Sequence, residues 1–168
     1  AHLLLLRQFL AIQFKIYKEI AFENSNPDKN LSASYLKAID GIAIEELFYD
    51  EKGKADNYRI ENLKKLPKEK KIMVSEFVKN KDDIAKVIQL NQAVNFVPFI
   101  RTAENYHYHI IPENINLENA NNITKLSDVQ NFLYLINADD FDTKKQLIDA
   151  VATTNYDLVL IDLYYLLI

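Results

Sequence analysis

The feature that most constrains this chain is a rhythm of short, continuous apolar runs that each close on a polar residue, separated by segments with helical spacing. IAI, IMV and LVLI show no alternation of apolar and polar residues, as expected of strands covered on both faces by helices. Such runs alternating with helical segments predict βα units and a largely parallel sheet. Strands are expected at 19–23 (EIAFE), 41–45 (GIAIE), 72–77 (IMVSEF), 95–100 (NFVPFI), 131–136 (NFLYLI) and 157–162 (DLVLID). Helices are expected at 2–17, 32–38, 57–66, 80–92 and 142–153. Asn80 caps the fourth of these and Asp140 or Asp142 the fifth, whose apolar stripe is Leu147, Ile148 and Val151. Residues 101–127, rich in Asn and lacking a sustained period, form a long connection, which in a domain of this size marks function or a join between units.

Composition narrows the chemistry. With 168 residues, 49% hydrophobic and 26% charged, the chain suits one α/β domain with a real core. A net charge of −4 gives no basic footprint for nucleic acid or an anionic membrane surface. The absence of cysteine excludes disulfides, thiolate metal sites and a cysteine nucleophile. Gly41 and Gly53 are the only glycines, so neither a phosphate-cradling loop nor a dinucleotide fingerprint can be written, and no cofactor is expected. The apolar opening AHLLLLRQFLAIQF is interrupted by Arg7 and Gln8 and is too short to span a bilayer. The chain begins without Met, which suggests a piece or a processed form of a longer protein. His107 and His109 lack a third ligand at a recognisable spacing, and no metal site is expected.

In parallel α/β proteins the C-terminal strand ends point one way and carry the active site. Here those ends are Glu23 and Asn24, Glu45 and Glu46, Glu76, Asn137 and Asp162. An acidic rim of this kind suits a pair of carboxylates acting on a glycosidic bond, one held protonated near neutrality. Strand alternation sends Glu45 and Glu46 to opposite sides, so only one of them faces the cleft. Phe48, Tyr49, Tyr106 and Tyr108 could stack on sugar rings or simply pack the upper edge of the sheet.

NITKLSDVQNFLYLINADDF followed by ATTNYDLVLIDLYY resembles the opening βαβ unit of the endo-α-1,4-polygalactosaminidase-like glycoside hydrolases, some of which carry a cysteinyl-tRNA synthetase-related label. IDGIAIEELFYDE, KKIMVSEFV and NFVPFI resemble that family's late strands. The resemblance implies a single α/β domain over 1–168 built as a partial or permuted (β/α) TIM-type barrel of about six parallel strands. Residues 1–100 would be late strands, 101–127 a connection and 128–168 the first βαβ unit. It implies cleavage of an α-1,4-galactosamine-containing polysaccharide, with Glu45, five residues after Asp40, as the catalytic carboxylate. Asp162 and Asn24 would line the cleft, joined by Glu46, Glu76, Tyr49 and Asn137 as substrate-facing strand-end residues. The family's order of parts is reversed, and its middle strands, including the one that supplies the second carboxylate, have no counterpart in the chain. A non-catalytic carbohydrate-binding or structural fragment is the alternative. The resemblance further implies an extracellular or periplasmic location, and self-association could complete the barrel.

Overall fold

The computed structural model describes residues 36–50, 52–102, 108–112 and 119–162. The expected strand at 19–23, the helix at 2–17 and Asn24 lie outside them, as do Tyr106 and His107. Two βα units and a third strand come first: β1 (Gly41–Glu45), α1 (Asn57–Leu63), β2 (Lys71–Phe77), α2 (Ile84–Ala93) and β3 (Val97–Arg101). A second unit follows: β4 (Phe132–Leu135), α3 (Lys144–Ala152) and β5 (Leu158–Ile161). All pairings are parallel, in a three-stranded sheet ordered β1-β2-β3 and a two-stranded sheet β4-β5. Among the described residues the strands do not close into a barrel.

Alternation along β1, β2 and β3 sorts their side chains onto two faces. Ile42, Ile44, Ile72, Val74 and Ile100 share a core with Ile60 and Leu63 of α1 and Val87 of α2, so this face is covered by helices. Ala43, Met73, Val97 and Phe99 face the other way and share a core with Phe132, Leu133 and Tyr134 of β4 and Leu158 of β5. Phe99 and Phe132 join the two sheets, their ring centroids 5.6 Å apart. Fully burying a side chain of this size stabilises the fold by about 1.5–3 kcal/mol. Burial on both faces is why the strands read as unbroken apolar runs.

The helices start where side chains satisfy their first N–H groups. Asp56 accepts from the Arg59 backbone N–H at 3.0 Å to open α1. Asn80 accepts from the Asp82 N–H at 3.1 Å, as its place in the sequence predicts, and opens a short 3-10 turn (Lys81–Asp83) that runs into α2. Neither Asp140 nor Asp142 caps α3. Thr143 does so, accepting from the Gln146 N–H at 3.2 Å while the Gln146 side chain accepts from the Thr143 N–H at 3.1 Å. This reciprocal capping box satisfies two N–H groups where a lone aspartate would satisfy fewer. Gly41 is required by the close approach of β2: a Cβ at this position would lie 2.5 Å from the Lys71 carbonyl oxygen.

Candidate functional site

Polar side chains meet at the C-terminal ends of β1, β2 and β3, on the face turned toward β4. Glu45 stands in register with Ser75, and Phe77 with Arg101. From the connection after β3, Tyr108 folds back over this face and its hydroxyl donates to Glu45 Oε1. The Tyr108 hydroxyl also lies 3.5 Å from Ser75 Oγ. Its ring meets Tyr134 of β4 edge-on at a centroid distance of 4.5 Å, the geometry that aromatic quadrupoles favour. The Arg101 guanidinium lies 5.1 Å from the ring centroid of Tyr108 and 5.1 Å from that of Phe77. Its Nη2 reaches Glu46 Oε1 at 3.2 Å.

Glu46 departs from strand alternation. Its φ of +51° is the left-handed conformation, which redirects the chain immediately after β1. Both carboxylates therefore belong to one cluster, Glu45 through Tyr108 and Glu46 through Arg101. This corrects the expectation that only one of them could serve the rim.

Two other groups hold the turn. Arg59, on the first turn of α1, donates from Nη1 to the Glu45 carbonyl at 3.1 Å and from Nη2 to the Glu46 carbonyl. Its own Nε is fixed by Asp56 Oδ2 at 2.7 Å. On the helix-covered side, Glu76 accepts from the backbone N–H groups of Leu47 at 3.2 Å, Phe48 at 2.8 Å and Tyr49 at 3.2 Å. Burial pushes its carboxyl up to about 7, against the opposing pull of these N–H groups and the Asn91 amide.

Glu76 was expected to face substrate, but it is completely buried on the opposite side of β2 from Ser75. Tyr49 also turns away from the cluster: its hydroxyl donates to Asp83 at 3.0 Å and its ring packs against the helix-covered core. Phe48 is a core residue, 6.2 Å from Phe96 between ring centroids. Asn137 is exposed just beyond β4, where its N–H donates to the Tyr108 carbonyl at 3.1 Å and its side chain accepts from the Asp139 N–H at 3.1 Å. It braces the loop that delivers Tyr108. Asp162 is exposed at the end of β5. Since Tyr134 pairs with Leu160, alternation places Asp162 on the strand face that Leu160 and Tyr134 share.

Sequence reasoning passed over Ser75, Arg101, Arg59 and Tyr134. Ser75 was accessible by parity, since it is the polar residue two positions beyond Met73. Arg101 and Arg59 carried no signal of their own. Burial, then the hydrogen bond to Glu45, raises the Tyr108 phenol above its ordinary value, and burial followed by the Glu45 charge does the same for Tyr134. Tyr108 is a neutral donor at physiological pH. A carboxylate, a phenol donor, a hydroxyl and a guanidinium within one rim can orient a hydroxyl-rich ligand and meet positive charge. Among the described residues no group of three or more His, Asp or Glu side chains could hold a metal ion, and no helix is long and apolar enough to cross a membrane. No protein-family model, curated protein or solved structure matches the chain.

Proposed function

We propose that the chain is a glycoside hydrolase-like domain, a partial or permuted (β/α) barrel whose strand-end rim takes an α-1,4-galactosamine-containing polysaccharide, with Glu45 as its acid/base carboxylate. The observation that carries this reading is the Glu45–Tyr108 hydrogen bond on the face that also bears Ser75 and Arg101. A sugar hydroxyl needs donors and acceptors together, and an amino sugar bearing an ammonium group is complemented by Glu45 and Asp162. Either glycosidase geometry needs a second carboxyl about 5–9.5 Å from the first. Asp162 is our candidate for it, being the strand-end carboxylate on the face of β5 that continues from Tyr134.

One observation favours a second reading, a non-catalytic carbohydrate-binding fragment. Glu46, the carboxylate nearest Glu45 in sequence, is paired with Arg101 and is thereby engaged in structure. The experiment measures both binding and release of reducing ends, using galactosamine oligomers and their neutral N-acetylated counterparts. Under the leading reading, Glu45→Gln lowers cleavage by about 100-fold or more while the fold is kept. Wild-type cleavage by this variant overturns the assignment of Glu45. Binding without cleavage by the wild-type chain selects the second reading, and no binding of either oligomer overturns both.

A further inference from the structure

We propose that Glu76 is the positioning residue of the rim: from the helix-covered side of β2 its carboxylate sets the 46–49 turn, and its protonation governs how Glu45 and Glu46 are presented on the opposite side. The inference rests on the rim being the working site. Its geometric basis is that one side chain receives three consecutive backbone N–H groups, those of Leu47, Phe48 and Tyr49. These follow directly on the left-handed residue Glu46, whose own N–H donates to the Ser75 carbonyl at 2.8 Å. The turn is thus attached to β2 at two successive residues, by the Ser75 backbone and by the Glu76 side chain.

An ionised carboxylate can accept at both oxygens, whereas a protonated one presents a hydroxyl that accepts poorly. Proton uptake therefore weakens part of the three-donor set. Three charged groups on the surrounding elements have other partners. Arg59 of α1 is bonded to the Glu45 and Glu46 carbonyls and to Asp56, Asp83 to the Tyr49 hydroxyl, and Arg101 of β3 to Glu46. From α2, Asn91 supplies a neutral amide. With burial holding the carboxyl at about 7, the change falls within the physiological range.

The test is an NMR titration of the ligand-free chain from pH 5 to 9, following the Glu76 and Glu45 side-chain carboxyl carbons and the amides of residues 47–49. The three amides are expected to move together with the Glu76 midpoint, and the Glu45 carboxyl carbon to respond at that same midpoint. Glu76→Gln should abolish both, while Glu45→Gln leaves the amide titration in place. Amides that do not titrate with Glu76, or a Glu45 signal that does not respond at the Glu76 midpoint, overturn the proposal, and the wild-type titration decides this even where Glu76→Gln fails to fold. A separate arm measures binding of the neutral N-acetylated oligomer. There Glu76→Gln is expected to weaken affinity about tenfold, the scale of one lost hydrogen bond to a charged group, and to flatten its pH profile. Loss of saccharide binding in the wild type would sink the carbohydrate reading while leaving the titration result intact.

Discussion

Glu76 and Asp157 are both buried carboxylates that accept backbone N–H groups, one in each sheet, yet their surroundings differ. Asp157, at the head of β5, accepts from Gln130 N at 2.7 Å, Asn131 N at 3.3 Å and Asn119 Nδ2 at 2.9 Å. Asn131 completes the exchange by accepting from the Asp157 N–H at 2.8 Å. The Lys71 ammonium lies near enough to be held up by the charges of Asp128 and Asp157, against a larger downward pull from its own burial. Its Nζ donates to the Val129 carbonyl at 3.1 Å. This N-terminal edge is a polar clamp with a cation beside it. At the other end, Glu76 has a shell of amides, and burial outweighs their pull. Similar hydrogen bonding thus lies beside a cation in one sheet and, in the other, on a group that can change charge near neutrality.

The sharpest challenge to the clamp is Asp157→Ala, which takes the acceptor from the Gln130 and buried Asn131 N–H groups and leaves the Asn119 amide only its bond to the Asp128 carbonyl. It should cost about 3 kcal/mol in urea denaturation at pH 7. A loss below about 1 kcal/mol would remove the distinction between the two carboxylates. A pH-dependent effect of comparable size is expected at Glu76. Its carboxyl is raised from 4.5 in the unfolded chain to about 7 in the folded one, so the folded state binds the extra proton between these values. The associated stabilisation is complete below about pH 4.5 and is lost as pH rises through 7, a decline of about 3 kcal/mol relative to Glu76→Gln. Urea melts of both proteins at pH 5 and pH 8 check the sign. Asp157→Ala should leave that pH difference in place. The smallest effect is expected from Thr143→Ala, an exposed cap on α3, which should lower stability by about 1 kcal/mol and set the scale of an ordinary local contact.

Five of the expected strands fall where the apolar runs place them, and GIAIE matches β1 residue for residue. β2 starts one residue early and the ends of β3, β4 and β5 differ by a residue or two, because strand termini are decided by pairing and not by apolarity. Glu45 was legible as a strand-end carboxylate. That Glu76 faces the other way was also within reach, since in IMVSEF it shares parity with Ile72 and Val74, which look toward the helices. Tyr108 could be named as an aromatic near the site, but no local pattern says that a residue of the 101–127 connection returns to bond Glu45, 63 positions earlier. The left-handed conformation at Glu46 is equally silent in sequence, since glutamate has no preference for it.

By itself, the sequence determined the βα rhythm, the parallel strands buried on both faces, the cap at Asn80 and the concentration of acids at strand ends. These follow from composition and spacing within a few residues, where side-chain burial and capping act. Only the tertiary structure decided which acids meet, because register places Glu45 beside Ser75, the turn at Glu46 brings a second carboxylate to Arg101, and the chain after β3 brings Tyr108 to the first strand. Register and chain return are set by pairing energies between segments tens of residues apart, and no single segment encodes them.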